Sequence, residues 1–261
     1  VSVSAWRSSR EVQAQPHKVP LLATTGAFVF AAQMLNFPIG GGTSGHFMGA
    51  AVVAALLGPW SACLIMSLVL VIQCLGFADG GLTALGANIV NMGIIGGFGS
   101  YFIMRGLRSV LPAGRGGYLA AVALSSWISI VLAATACALE LAFSGTSPLG
   151  LVLPAMVGTH AAIGIGEALI TTTVLSAVIA ARPDVPPQWS EIQGASAVRP
   201  SRKRAWTLAG AGMIVALILG VFVSPFASSS PDGLEKVAEA KGFIESAEGK
   251  EVWTSSLLPD Y

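Results

Sequence analysis

Seven apolar segments, most of them about as long as a bilayer is thick, constrain the fold of this chain more than any other feature. They cover residues 21–37, 47–57, 61–77, 82–104, 118–143, 149–181 and 206–226. A helix needs about 17 to 25 mainly apolar residues to cross a bilayer. Only 10% of the residues are charged, whereas a soluble domain carries about 25%. The sequence therefore predicts an all-α, polytopic helical membrane protein with about seven apolar helices and a small extracytoplasmic C-terminal segment.

Basic residues are concentrated in alternate connections between the apolar segments. Residues 1–18, 105–117 and 182–205 contain every lysine and arginine except Lys236, Lys241 and Lys250. Because positively charged loops remain on the cytoplasmic side, 1–18 is predicted to be a cytoplasmic loop and 182–205 a basic cytoplasmic linker. The net charge is only +1, and the basic residues are not interleaved with aromatic ones on a polar face. Nucleic-acid binding is therefore not expected.

A glycine-rich stretch, Gly40-Gly41-Gly42-Thr43-Ser44-Gly45-His46, separates the first two apolar segments. Irregular backbone at membrane depth is tolerated only where it is buried in protein or lines a cavity. The imidazole of a neutral histidine is the commonest nitrogen ligand for transition metals. One interpretation places His46 at the mouth of a membrane-embedded cavity, where it binds a small cation. The alternative is a flexible turn whose histidine faces water.

Ionisable residues within an apolar segment are costly and indicate functional or structural pairing. His160 and Glu167 are seven residues apart and share one helix face. For Glu167 we favour an interhelical hydrogen bond. For His160 both a structural hydrogen bond and a functional role are considered. Their candidate partners, and candidates for lining a cavity, are the amides Gln33, Asn36, Asn88 and Asn91. Glu140, near the end of its segment, is expected to be solvated.

Ala23, Ala27 and Ala31 repeat every four residues and form a stripe that allows close helix approach. This stripe is either ordinary internal packing or a face that docks a partner protein.

The sequence offers no enzyme motif. No serine or cysteine stands in a specific arrangement with a base, and the glycine stretch lacks the lysine of a phosphate-binding loop. The pairing of Ser44 with His46 is too common to indicate a nucleophile. Cys63, Cys74 and Cys137 lie inside apolar segments and are expected to be buried free thiols.

The C-terminal residues 228–261 differ in composition from the rest. Ser230 is predicted to cap a helix with Pro231 at its first position, ending near Gly242. Because the chain begins at Val1 without a methionine and its tail appears unfinished at Tyr261, we expect a fragment or a processed form.

Several motifs together resemble one transporter family. They are Ala31-Ala32-Gln33-Met34-Leu35-Asn36-Phe37-Pro38 with Gly41-Gly42-Thr43-Ser44-Gly45-His46, then Leu57-Gly58-Pro59-Trp60, Asp79-Gly80-Gly81-Leu82-Thr83-Ala84-Leu85-Gly86-Ala87-Asn88 and Gly158-Thr159-His160. They closely resemble the substrate-binding membrane component of energy-coupling-factor cobalt/nickel transporters (the CbiM/NikM family). Ser230-Pro231-Asp232-Gly233-Leu234-Glu235 resembles the small accessory PDGLE module.

The resemblance implies a function and a set of partners. Such a component captures Co²⁺ or Ni²⁺ as transported substrate at the cell (inner) membrane, without a bound organic cofactor. It is embedded in the lipid bilayer and works with a transmembrane coupling protein and cytoplasmic ATPase subunits. The family's metal-binding histidine matches His46, and its other nitrogen ligands come from an N-terminus absent from this chain. Thr43, Ser44 and Asn36 are candidates to orient the imidazole, and the alanine stripe is the candidate coupling-protein face.

This resemblance divides the chain into a loop (1–18), a metal-binding membrane domain (19–181), a linker (182–205), a transmembrane helix (206–227) and an incomplete extracytoplasmic PDGLE module (228–261). Two alternatives to metal uptake remain. Other binding components of this transporter class take vitamin-like organic substrates, and a membrane enzyme or scaffold would not transport at all.

Overall fold

Helices make up most of the described chain. The computed structural model describes residues 2–14, 18–40, 42–193, 202–246 and 256. The helices are α1 (Ser2–Ala14), α2 (Val19–Gln33), α3 (Ala50–Leu57), α4 (Pro59–Phe77), α5 (Leu85–Asn88), α6 (Ser100–Leu107), α7 (Arg115–Phe143), α8 (Leu149–Ala181), α9 (Pro187–Gln193), α10 (Arg202–Ile218) and α11 (Gly233–Lys241). The two strands are β1 (Asn36–Gly40) and β2 (Thr43–His46).

Four of these helical stretches are long and apolar enough to cross a membrane, judged by length and composition of the described residues. They are Pro59–Phe77, Leu85–Leu107, Arg115–Phe143 and Leu149–Ala181. Val19–Gln33 and Gly210–Val223 are shorter apolar helices. The prediction of an all-α protein built on apolar helices is therefore confirmed.

The short helix α3 lies at the centre of the main apolar core. All eight of its residues are buried, and it packs against α4, α7 and α8. It ends at Gly58, whose φ of 84° is left-handed, and Pro59 opens α4 at the first helical position. Proline has no N–H to donate and is suited to that position, whereas it would break a helix interior. The Gly58-Pro59 pair thus separates two helices, as the sequence predicts.

A π-helical segment, Ile89–Gly99, joins α5 to α6 and makes Leu85–Leu107 one continuous helix. Its glycines allow close packing against the core. A Cβ at Gly96 would lie 3.1 Å from Met48 and Ala50 side-chain atoms, and one at Gly97 would lie 3.2 Å from Ala62. The small residues therefore bring this helix within contact of α3 and α4.

The glycine-rich stretch forms a β-hairpin, so the flexible turn that was one of the two interpretations of this sequence is wrong. β1 and β2 are antiparallel, with Asn36 opposite His46, and the register is irregular between Pro38 and Gly40. Gly42 at the tip has a left-handed φ of 72°. The apolar segment preceding the hairpin stops being helical at Gln33, so its last residues become strand.

Two predicted connections contain helices. The stretch 1–18 was expected to be a loop, which is wrong for residues 2–14, because they form α1. The Arg7 guanidinium lies 5.4 Å from the ring centroid of Trp60, which holds this polar helix against α4. Within the predicted linker, α9 packs its Trp189 against the bundle at 5% exposure. Residues 194–201 lie outside the described part of the chain.

The C-terminal helix α11 begins later than predicted. Asp232, rather than Ser230, is its N-cap and accepts a hydrogen bond from the Glu235 amide at 2.8 Å. Aspartate is as good an N-cap as serine, and here it satisfies one of the free amides of the first turn. The helix ends at Gly242, which has a left-handed φ of 73°, as predicted.

Candidate functional site

The hairpin, five helical stretches (α2, α4, Leu85–Leu107, α7 and α8) and the start of α11 line a cavity of about 430 Å³. Its polar walls bring together groups that are far apart in sequence. These are Gln33, Asn36, His46, Gln73, Asp79, Asn88, Asn91, His160 and Asp232. Thioethers from Met48, Met92 and Met156 and the Cys137 thiol line it as well. The cavity therefore combines nitrogen, oxygen and sulfur donors.

His46 is the last residue of β2, and the hairpin directs it to the cavity wall. Its Nδ1 is buried and has no hydrogen-bond partner among the described residues. Among the described residues, Asn36, Thr43 and Ser44 do not form the hydrogen bonds to the His46 imidazole that the sequence predicts. Ser44 Oγ instead donates to the carbonyl oxygen of Ser230 at 2.7 Å. A buried ring nitrogen without a partner is costly, so this atom is suited to a ligand.

Glu167 is fully buried and fixes the chain just after the hairpin. Its carboxylate accepts hydrogen bonds from the backbone amides of Met48 at 2.8 Å and Gly49 at 2.9 Å. The predicted structural role is correct, but the partners are backbone amides and not the predicted side-chain amides. Since Met48 follows His46 by two residues, Glu167 also determines where the imidazole lies.

Two glutamines form the inner wall of the cavity. Gln33 Nε2 donates to the carbonyl oxygen of Met48 at 2.7 Å, and Gln73 Nε2 donates to Gln33 Oε1 at 2.9 Å. Gln33, predicted as a cavity residue, therefore lines the cavity while also holding the hairpin exit against α4. Gln73 was missed by the sequence analysis. A lone glutamine inside an apolar segment is the signal that could have found it.

Asn88 and Asn91 lie on the same helical stretch, Leu85–Leu107, and both line the cavity. Asn88 Nδ2 donates to the Gly80 carbonyl oxygen at 3.0 Å and fixes the turn after α4. Asn91 Nδ2 donates to Glu140 Oε2 at 2.8 Å, while Asn91 Oδ1 is buried without a partner among the described residues. Glu140 is therefore half-buried and paired, rather than simply solvated as expected.

His160 also faces the cavity, on α8. Its Nδ1 lies 2.8 Å from the Met156 carbonyl oxygen. A carbonyl can only accept, so Nδ1 donates and Nε2 carries the lone pair of the neutral ring. Nε2 is directed towards α11, because a Cβ at Gly233 would lie 3.1 Å from it.

No three His, Cys, Asp or Glu side chains converge closely enough to hold a metal ion anywhere in the described residues. A cation bound to His46 would therefore take its other ligands from water or from donors outside this set. His17, the third histidine of the chain, belongs to the predicted cytoplasmic loop 1–18 and lies outside the described residues.

The alanine stripe lies elsewhere. Ala23, Ala27 and Ala31 line an apolar groove of about 740 Å³ between α2, α4 and α10. The chain's own α10 therefore packs beside the surface proposed for a partner, and docking at this stripe stays a prediction.

Helices long and apolar enough to cross a membrane, with a cavity lined by polar side chains from several of them, are features of a multi-pass membrane protein with an internal polar cavity. Residues 1–185 match the family of the cobalt uptake substrate-specific transmembrane region, CbiM, and residues 206–261 match the PDGLE domain. The chain therefore belongs to the CbiM/NikM family of cobalt and nickel transport membrane components, with a C-terminal PDGLE domain, and is not an enzyme.

Relatives extend this similarity over the whole chain. The fused nickel transport protein NikMN of Rhodobacter capsulatus is 31% identical over 291 aligned positions, covering 99% of this chain and 81% of that protein. The cobalt transport protein CbiM of Sorangium cellulosum is 34% identical over 189 residues, covering 71% and 84%. A NikMN protein of Archaeoglobus fulgidus is 47% identical over 167 residues, which are 63% of this chain but only 55% of that protein.

A solved structure has the same fold. The crystal structure of a truncated transition metal transporter matches with a TM-score of 0.59 and 36% identity, covering 69% of this chain and 88% of that one.

Proposed function

We propose that this chain captures Co²⁺ or Ni²⁺ on the outer face of the membrane, with His46 as a metal ligand. The observation that supports this most directly is the buried Nδ1 of His46, which faces the cavity without a hydrogen-bond partner among the described residues. A neutral imidazole nitrogen suits both ions, and their affinities for such a site are close. The residue types therefore do not select between cobalt and nickel.

The proposed topology follows from the helices and charges. With α3 counted, seven apolar helices form the membrane part, and the hairpin, the Asp79 turn and α11 face outward. The basic segments lie at the opposite, cytoplasmic end, in agreement with the positive-inside rule. A transmembrane coupling protein and cytoplasmic ATPase subunits would supply the energy for reorientation. This chain itself would bind no ATP and no organic cofactor.

Replacement of His46 by alanine, written His46→Ala, tests the metal assignment. The variant, co-expressed with the partner subunits, should lose radiolabelled Ni²⁺ or Co²⁺ uptake while the chain still inserts into the membrane. Thr43→Ala is the matched control, because Thr43 lies on the same strand but does not line the cavity. Unchanged uptake by His46→Ala would exclude His46 as a ligand.

A competition experiment separates this function from uptake of an organic substrate. Unlabelled Co²⁺ should suppress labelled Ni²⁺ uptake, whereas an excess of water-soluble vitamins should not. Suppression by a vitamin would instead support the vitamin-like substrate.

A further inference from the structure

The C-terminal module is attached to the hairpin that carries His46. The Ser44 amide donates to the Pro231 carbonyl oxygen at 2.9 Å, and the Ser228 amide donates to the Asn36 carbonyl oxygen at 2.7 Å. Together with the Ser44 hydroxyl bond to Ser230, these contacts extend the hairpin by a segment from the other end of the chain. Residues 228–231 therefore have a fixed position beside the metal-binding strand.

Apolar packing fixes the start of α11 over the cavity. Val237 is 3% exposed and lies in a small apolar cluster with Met156 and Val152 of α8 and Ala138 of α7. Gly233 approaches α8 so closely that a Cβ there would lie 2.6 Å from Ile163. The module is thus seated on the ends of two helices, and its first turn forms part of the cavity wall.

Asp232 is the acidic group that this seating brings to the cavity. One carboxylate oxygen, Oδ1, caps α11 by accepting the Glu235 amide at 2.8 Å. The hydrogen bonds found among the described residues do not involve Oδ2. Asp232 precedes Gly233, where a Cβ would lie 3.1 Å from His160 Nε2, and Asp232 and His160 line the same cavity. The Asp232 carboxylate can therefore bind a cation through Oδ2 without giving up its role as the cap.

His160 presents the complementary donor. Because its Nδ1 is committed to the Met156 carbonyl oxygen, the lone pair of the neutral ring lies on Nε2, on the edge that faces the first turn of α11. The imidazoles of His160 and His46 line the same cavity. Asn91, which is 6% exposed, lines the same cavity, and its buried Oδ1 has no hydrogen-bond partner among the described residues.

We propose that Asp232 and His160 form a second site, the mouth site, which holds a hydrated divalent transition-metal cation before it reaches His46. The inference rests on the proposed metal-capture function. Two protein donors leave most coordination positions to water, in agreement with the finding that no three ligating side chains converge in the described residues. A site of this kind binds weakly and releases quickly. The carboxylate raises the local concentration of cations at the cavity mouth.

Asp232→Asn is the sharpest test, because asparagine caps a helix as well as aspartate does but carries no charge. In the full chain with its partner subunits, the Co²⁺ concentration giving half-maximal uptake should rise about fivefold, as for loss of one ion–carboxylate contact in wet surroundings. The maximal rate should stay unchanged. Glu239→Gln is the matched control, because it removes a half-exposed carboxylate of α11 that pairs with Lys236 and does not line the cavity.

A binding measurement distinguishes failure of this proposal from failure of the metal assignment. Equilibrium dialysis of the purified full chain with Co²⁺ should show weak binding that persists in His46→Ala and disappears in His46→Ala/Asp232→Asn and in His46→Ala/His160→Gln. Loss of uptake in His46→Ala tests the proposed function separately.

Three results would overturn the mouth site. They are unchanged half-saturation in Asp232→Asn, an equal effect of Glu239→Gln, and weak Co²⁺ binding that survives both double substitutions. Asp232→Ser, which also retains a capping oxygen, should reproduce the effect of Asp232→Asn. A wild-type half-saturation in Asp232→Ser would equally contradict the proposal.

Discussion

Glu167→Ala should be among the most damaging substitutions in the membrane domain, although Glu167 does not line the cavity. The carboxylate is fully buried and accepts the amides of Met48 and Gly49 at 2.8 and 2.9 Å. Alanine leaves these two buried amides unsatisfied at the exit of the hairpin. A buried donor without its partner costs about 1 to 3 kcal/mol, so the substitution should cost roughly 2 to 6 kcal/mol of unfolding free energy.

The assay is thermal unfolding of the purified chain in detergent, with Co²⁺ binding measured on the same preparations. Glu167→Ala should lower the midpoint by many degrees and weaken binding, because the strand carrying His46 loses its anchor. Glu167→Gln keeps one acceptor oxygen and should lose about half as much stability. Thr172→Ala is the control on the same helix, since that hydroxyl donates to the carbonyl oxygens of Ala168 and Leu169 in α8 itself. A wild-type midpoint for Glu167→Ala would refute the proposed anchoring role.

Two further substitutions test the hairpin and its neighbours. Gly49→Ala should lower the free energy of unfolding by about 1 to 2 kcal/mol through its left-handed backbone alone, because its φ is 75°. A Cβ at Gly49 would also lie 3.0 Å from atoms of Val29 and Phe47. Gly76→Ala, with open space around the glycine, is the control, and equal unfolding midpoints of the two variants would contradict the expectation. Ser44→Ala removes the hydrogen bond from the Ser44 hydroxyl to Ser230. Because such a bond contributes about 1 kcal/mol, the rate of amide hydrogen exchange in α11 should rise about fivefold. An unchanged exchange rate would show that this bond does not hold α11 in place.

The apolar helices could be predicted because their signal is local. Segment length, the Gly58-Pro59 break and the glycine that ends α11 each depend on a few neighbouring residues. The helix α1 was missed because its composition is polar, and contacts such as Arg7 over Trp60 help to hold it. In the same way, α9 lies in a proline-rich segment and is recognised only from the burial of Trp189.

The site could be predicted only in part, because its contacts join distant parts of the chain. Glu167 was expected to be paired, but its partners are backbone amides 119 and 118 positions away, which no residue type indicates. The same holds for the bond between Ser44 and Ser230, 186 positions apart. His46 was identified from its glycine context, whereas the juxtaposition of Asp232 with His160 required the folded chain.

The covalent link between the PDGLE segment and the helix bundle lowers the affinity that the segment needs in order to stay docked. When two binding surfaces belong to one polypeptide, their effective concentration is in the millimolar range for a short flexible tether. A few hydrogen bonds and one small apolar cluster then suffice to keep the cavity mouth covered for most of the time. Because the segment belongs to the same polypeptide, no separate subunit has to be recruited to cover the cavity.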